Sequence, residues 1–133
     1  IIFKVASHNI NGIKNSNGHK LEMLGKWMET RDYAVKGLVE SNVSAKEGYF
    51  LTSNLVNYNG FWSSSNTNKK KGSGVSLLVR KDWEKHLGQV VRYSEFMIEA
   101  VFYFKQLEIV IITVYLPPND KDKIKRVQQE IVK

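Results

Sequence analysis

The chain has 133 residues, 42% of them hydrophobic, which is the size and composition of one globular domain and excludes a disordered chain. It contains no cysteine, so disulfides, thiolate metal sites and a cysteine nucleophile are excluded. Twenty basic against thirteen acidic residues give a net charge of +7, which favours a polyanionic partner such as nucleic acid or an anionic membrane surface. The sequence shows neither an apolar run of membrane-spanning length nor a signal-peptide pattern, so we expect an intracellular, unsecreted protein, with the nucleus as one candidate compartment.

The first third of the sequence predicts a βαβ unit. Composition and hydrophobic period predict a strand, a helix and a second strand at residues 1–6, 20–31 and 35–39. Two strands joined by one helix are normally parallel, so their C-terminal ends lie at the same edge of the sheet. We therefore expect Asn9, Asn11 and Glu40, which follow these strands, to converge.

The rest of the chain predicts mainly strands. A short helix is expected within 49–58, strands at 60–62, 75–79, 89–92, 97–104 and 107–116, and a last helix at 120–132. The last two strands are joined only by Lys105 and Gln106, and so short a link favours antiparallel pairing. Asp120 is expected to cap the last helix.

Residues 63–74 are predicted as an exposed loop that contains Lys69, Lys70 and Lys71. These lysines are candidates for contacting the phosphate backbone of a nucleic acid. A run of lysines is also common in a simple solvated loop, and the residues alone leave both interpretations open.

The best site candidate in the chain is Glu40 together with Asn9 and Asn11. A carboxylate and neutral amides supply the hard oxygen ligands and hydrogen bonds that suit Mg²⁺ and a phosphate. The alternative is that the asparagines only form a turn and Glu40 is a solvated strand end. From the residue types alone, that alternative is favoured.

Five short motifs in one order resemble the endonuclease/exonuclease/phosphatase superfamily, which has the DNase-I-like fold and includes apurinic endonucleases and LINE-type retrotransposon endonucleases. The matching segments, with the family pattern after each, are 7–13 (N-x-N-G-L), 37–41 (Q-E-T), 72–79 (G-V-A), 98–101 (E-G-R) and 113–118 (N-x-Y-x-P-N). Each motif is weak alone, but their shared order extends over nearly the whole chain.

The resemblance implies an α/β fold, namely half of a DNase-I-like α/β sandwich with a mixed sheet and flanking helices. Residues 1–133 would then be the N-terminal part of a single domain. Carried over by position, Glu40 resembles the metal-binding glutamate, and Asn9 the asparagine that organises metal and phosphate. Asn11 matches a position that is often Asp or Asn and is a second candidate metal ligand, while Tyr115 resembles the tyrosine placed against the scissile phosphate. The implied cofactor is Mg²⁺, and the expected partner is DNA.

The chain also departs from the family pattern. Val39 replaces the usual Gln, Ala100 and Val101 replace Gly-Arg, and Pro118 stands where Asn is common. The family's G-D-x-N motif, which supplies a water-activating Asp, and its S-D-H motif, whose His contacts the phosphate, do not occur in these 133 residues.

The resemblance thus implies Mg²⁺-dependent phosphodiester hydrolysis by a DNA endonuclease of retrotransposon type, with this chain inactive alone. One alternative is a non-catalytic remnant that binds nucleic acid or itself, and another is a phosphatase or lipid phosphodiesterase of the same fold. If the second layer of the sandwich is missing, the apolar strands at 98–104 and 109–116 lack cover. We then expect self-association through that uncovered sheet face.

Overall fold

The computed structural model describes residues 2–13, 19–64, 73–117 and 121–131, which form two β-sheets and their helices. In chain order the elements are β1 (Val5–Asn9), α1 (His19–Arg31), β2 (Val35–Val39), α2 (Ala45–Thr52), β3 (Tyr58–Ser63), β4 (Val75–Arg80), a 3₁₀ helix (Lys81–His86), β5 (Leu87–Ser94), β6 (Met97–Phe104), β7 (Leu107–Val114) and α3 (Lys121–Ile131). No helix among the described residues is long and apolar enough to cross a membrane.

The first sheet is mixed and has the strand order β1-β2-β4-β3. β1 and β2 are parallel and in register from Val5 opposite Val35 to Asn9 opposite Val39. β4 runs antiparallel to both of its neighbours. The predicted βαβ unit is therefore confirmed, and its two strands end side by side at one edge of the sheet.

Helix α1 packs on the outer face of this sheet. Leu24 and Met28 of the helix are buried against Leu38, Trp62 and Leu78 of β2, β3 and β4. The predicted mixed sheet with flanking helices, and with it the α/β class, is confirmed.

The second sheet is antiparallel, with the order β5-β6-β7, and packs face to face on the first. Ile98, Ala100 and Phe102 of β6 are completely buried in one cluster with Leu77 and Val79 of β4. Alternate side chains of β6 thus fill the space between the sheets, since successive residues of a strand point to opposite faces.

This second layer corrects one prediction. Strand 98–104 was expected to lack cover, but the first sheet covers its inner face. It does so because β5, β6 and β7 form a separate sheet that packs on β4. The reason given for self-association is thereby removed for that face. On the outer side of the sheet, Val110 and Ile112 of β7 remain 48% and 49% exposed.

Two strand boundaries differ from the prediction. β1 runs from Val5 to Asn9, because its polar residues pair with β2 as far as Val39. β7 ends at Val114, two residues before the predicted end, although the Tyr115 amide still donates to the Phe96 carbonyl at 2.9 Å. Asn9 is therefore the last residue of β1, and Tyr115 directly follows β7.

The short helix α2 also begins earlier than predicted. Ser44 is its N-cap, and its hydroxyl oxygen accepts a hydrogen bond from the Glu47 amide at 3.2 Å. A serine three residues before a glutamate is a recognisable start signal, which the apolar spacing further along the helix had obscured.

Candidate functional site

The C-terminal ends of β1, β2 and β7 meet at one edge of the molecule. Glu40 follows β2 and Tyr115 follows β7, and the Tyr115 hydroxyl donates a hydrogen bond to Oε1 of Glu40. The two sheets therefore bring together two of the predicted site residues that are far apart in the sequence. The contact exists because β2 and β7 face each other across the sandwich, as the packing of Gly37 on Thr113 shows.

The loop after β1 is tied to the segment after β2 by backbone hydrogen bonds. The Gly12 amide donates to the Glu40 carbonyl at 2.7 Å, and the Ile13 amide donates to the Ser41 carbonyl at 3.0 Å. Within the loop, the side-chain Oδ1 of Asn9 accepts from the Asn11 amide at 3.0 Å, which is the geometry of an Asx turn. Asn9, Asn11 and Glu40 thus belong to two hydrogen-bonded segments at one edge, as predicted from the βαβ unit.

Gly74, just before β4, joins this edge to the second sheet. Its carbonyl accepts from the Ser41 amide at 3.2 Å, and its own amide donates to the Glu95 carbonyl at 3.0 Å. Its φ is +91°, and a Cβ there would lie 2.4 Å from Oγ of Ser41. Only glycine fits both the backbone angle and the close approach.

Backbone strain is concentrated at the same edge. The φ value is 49° at Asn11, 54° at Glu40 and 58° at Asn42, and all three lie in the left-handed region. Asparagine tolerates this region, whereas glutamate rarely enters it. Strain of this kind persists only where the surroundings enforce it, and it is common at functional sites.

Electrostatics keep Tyr115 protonated. Burial, and then the hydrogen bond to Glu40 and its charge, raise the pKa of Tyr115 to about 12. The phenol is therefore a neutral hydrogen-bond donor at physiological pH, and it orients the carboxylate.

Basic groups lie beside the same strand end. Burial, followed by the positive charges of Lys36 and Lys20, lowers the pKa of His8, the residue before Asn9. The surroundings thus favour the neutral form of the imidazole and would attract an anion. None of the causes that lower the pKa of His8 is an acidic side chain.

Solved structures of similar overall fold identify the architecture. A humanized D. rerio TDP2 matches with a TM-score of 0.67 and 14% identity, over 98% of this chain and 58% of that chain. An AP endonuclease from Archaeoglobus fulgidus matches with a TM-score of 0.65 and 16% identity, over 98% of this chain and 49% of that chain. The chain has the DNase-I-like fold.

A third structure with the DNase-I-like fold is the endonuclease domain of TRAS1, a telomere-specific non-LTR retrotransposon. It matches with a TM-score of 0.61 and 16% identity, over 98% of this chain and 54% of that chain. The chain therefore spans about half the length of these solved structures. No protein-family model and no curated protein matches the sequence. The resemblance based on five short motifs is thus confirmed at the level of the fold.

The side chains at this edge can be compared with the ligands that a metal ion needs. Among the described residues, no group of three or more histidine, aspartate and glutamate side chains could hold one. Glu40 nevertheless offers a partly exposed carboxylate whose Oε1 is already oriented by Tyr115. One carboxylate with neighbouring amide oxygens fits Mg²⁺, which usually retains several waters and is completed by substrate phosphates.

Some predicted residues have no described position. Lys69, Lys70 and Lys71 lie outside the described residues, and so do Pro118 and Asp120. The nearest described residue after the lysines is Ser73, whose carbonyl accepts from the Asn42 amide at 2.9 Å. Ser73 itself therefore lies at the site edge.

Sequence reasoning missed one residue of this edge. The ammonium group of Lys20, in the first turn of α1, donates to backbone carbonyls of the loop after β1. In the sequence Lys20 is one of several lysines along an amphipathic helix, and no spacing distinguishes it from Lys26. Only the three-dimensional path of the loop does so.

Proposed function

We propose that this chain carries the metal- and phosphate-holding part of a Mg²⁺-dependent phosphodiesterase site, in a DNA endonuclease of retrotransposon type. The observation that carries the proposal is the hydrogen bond from Tyr115 to Glu40, made where β1, β2 and β7 end together. The DNase-I-like fold and the order of the five sequence motifs support it.

Glu40 and Asn11 are the residues that would hold Mg²⁺. The Oε1 atom of Glu40 accepts from Tyr115, which leaves Oε2 as the oxygen to face a cation. Bound there, Mg²⁺ would neutralise charge that develops on a phosphate during hydrolysis.

Asn9 and Tyr115 have positioning and binding roles in this proposal. Oδ1 of Asn9 is engaged by the Asn11 amide, so the NH₂ end of the side chain is the end that can donate to a phosphate oxygen. Tyr115, with its raised pKa, keeps its proton and can donate either to Glu40 or to a phosphate. Pre-oriented donors of this kind stabilise charge without reorganising during the reaction.

Residues 1–133 are proposed as the N-terminal part of a single domain, and as a part that binds without cleaving. The Asp of a G-D-x-N motif and the His of an S-D-H motif do not occur in this sequence. Losing a general base and its phosphate-holding partners costs several orders of magnitude in rate.

The test incubates the purified chain with supercoiled plasmid and Mg²⁺, and measures binding of a short DNA duplex with and without Mg²⁺. We expect the plasmid to stay supercoiled, and duplex binding to be strengthened by Mg²⁺ in the wild type but not in Glu40→Gln. A duplex affinity that changes neither with Mg²⁺ nor with the Glu40→Gln substitution would overturn the proposed site. Robust nicking that Glu40→Ala abolishes would instead show that these residues hold a complete site.

A further inference from the structure

Lys20 makes an unusual set of contacts for a lysine on a helix surface. Its Nζ donates to the carbonyl oxygens of Ile10 at 2.8 Å, Gly12 at 3.1 Å and Asn11 at 3.4 Å. An ammonium group has three N–H donors and no acceptor, so these three carbonyls use its full hydrogen-bonding capacity. The bonds to Ile10 and Gly12 are partly buried.

Three successive carbonyls converge on one point only if the backbone turns sharply between them. Asn11 at φ 49° and Gly12 at φ 87° supply that turn. The negative ends of three carbonyl dipoles then face the same small volume, where they repel one another unless a cation lies between them. The Lys20 ammonium is that cation.

The opposite side of the same loop is attached to β2. The Ile10 amide donates to the Val39 carbonyl at 3.0 Å, and the amides of Gly12 and Ile13 donate to Glu40 and Ser41. The loop is therefore held from two sides, by its amides on the segment after β2 and by its carbonyls on Lys20. Asn9 and Asn11 lie within the segment that is held.

Lys26 provides the contrast on the same helix. Its ammonium pairs with Glu22 at 3.4 Å one turn away, and its side chain is 76% exposed. Such a pair stabilises only the helix surface and contributes little. Lys20 instead joins α1 to a loop eight to ten residues earlier in the chain.

We propose that Lys20 is a positioning residue that fixes the loop after β1, and through it Asn9 and Asn11, against Glu40. We call the three hydrogen bonds from the Lys20 ammonium to the carbonyls of Ile10, Asn11 and Gly12 the clamp. The purpose of this positioning rests on the function proposed above, whereas the clamp itself does not. Removing the ammonium frees three converging carbonyls, which move apart and loosen the hydrogen bonds of Gly12 and Ile13 to the segment after β2.

The experiment compares three variants. Lys20→Met keeps roughly the length of the side chain but removes its charge, Lys20→Arg keeps the charge, and Lys26→Met is the matched control. Amide hydrogen exchange at Gly12 and Ile13 reports the loop directly, and exchange at Leu77 reports the fold. We expect Lys20→Met to speed exchange at Gly12 and Ile13 about ten-fold and to leave Leu77 unchanged. Lys20→Arg should recover most of the protection, and Lys26→Met should match the wild type.

Chemical rescue separates the clamp from a general packing effect. In Lys20→Ala, added ethylammonium chloride should restore the protection of Gly12 and Ile13, while sodium chloride at the same concentration should not. Unchanged exchange in Lys20→Met, or equal effects of the two salts, would overturn the clamp.

Mg²⁺ titration of the same variants tests the positioning role. We expect weaker Mg²⁺ binding in Lys20→Met than in Lys20→Arg or Lys26→Met. Faster loop exchange with unchanged Mg²⁺ affinity would overturn the positioning role while the clamp stands. A wild-type chain that binds no Mg²⁺ would refute the proposed function and with it the positioning role, and the exchange data would still decide the clamp.

Discussion

The hydroxyl of Tyr115 and the carboxylate of Glu40 meet although 75 positions separate them in the chain. Motif resemblance singled out both residues but placed the tyrosine against a phosphate. It could not predict that the same hydroxyl orients Glu40, because that contact depends on how the second sheet packs on the first. Lys20 was missed for a similar reason, since its partners are carbonyl groups and leave no trace in residue type.

The raised pKa of Tyr115 has a measurable consequence at high pH. Burial, and then the hydrogen bond to Glu40 and its charge, raise the pKa of Tyr115 from 10.0 to about 12 on folding, so the contribution of the protonated phenol to stability is complete below pH 10 and is lost as pH rises from 10 towards 12. Tyr115→Phe should therefore flatten the pH dependence of the free energy of unfolding in that window. Urea denaturation at a series of pH values measures it, with Tyr103→Phe, on an exposed strand residue, as the control. Equal pH dependence in wild type and Tyr115→Phe would contradict the raised pKa of Tyr115.

The left-handed backbone at Glu40 gives a prediction that separates strain from ligand binding. At φ 54° a residue with a Cβ is strained by about 1 kcal/mol, whereas glycine is not. Glu40→Gly should therefore unfold at higher urea concentration than Glu40→Ala, although both lack the carboxylate and should lose Mg²⁺ binding equally. A Glu40→Ala variant as stable as Glu40→Gly would show that the backbone there is unstrained.

At the scale of elements, the hydrophobic period predicted some boundaries well and others badly. β2 and β6 have the predicted bounds, because their side chains alternate or are continuously apolar. β1 was predicted too early, because polar Ser7, His8 and Asn9 belong to a strand only through pairing with β2. The number of sheets could not be predicted, since a period of two shows that a strand has two faces but not which sheet it joins.

Gly37 tests the contact between the two sheets. A Cβ added there would lie 2.5 Å from Oγ1 and 3.3 Å from Cγ2 of buried Thr113, but 3.5 Å from its Cβ, an ordinary contact. Gly37→Ala should lower the free energy of unfolding by about 1–3 kcal/mol through overpacking. Adding Thr113→Ala removes both clashing atoms and should recover part of the loss.

Gly25→Ala is the matched control for that experiment, because its Cβ would meet only the end of the Leu55 side chain at 3.0 Å. The gain in helix propensity on replacing this buried mid-helix glycine should offset that contact, so little change is expected. Additive effects of Gly37→Ala and Thr113→Ala in urea denaturation would show that the sheets do not meet at this point.

At the scale of the whole molecule, the net charge of +7 predicts weak DNA binding with little sequence preference. The affinity should fall steeply with salt, and replacing Lys69, Lys70 and Lys71 by glutamine should reduce the slope of log K against log salt by up to about 2–3. Fluorescence anisotropy with a short duplex measures this slope.

The matched control replaces three lysines at the opposite end of the sheets, Lys81, Lys85 and Lys105. Equal losses of slope in the two triple variants would mean that net charge alone governs binding and that the lysine loop has no special role. Binding that does not respond to salt would count against a nucleic-acid partner and in favour of a small phosphate.

Paramagnetic NMR with Mn²⁺ in place of Mg²⁺ would locate a divalent cation bound where β1, β2 and β7 end. We expect Mn²⁺ to broaden the amide signals of Asn11, Glu40 and Tyr115 first, and Glu40→Gln to abolish this broadening. The described residues also hold an acidic pair at the other end of the sheets, Asp32 and Asp82, joined by Arg80. Broadening centred on that pair, or broadening that survives Glu40→Gln, would rule out a cation site at Glu40.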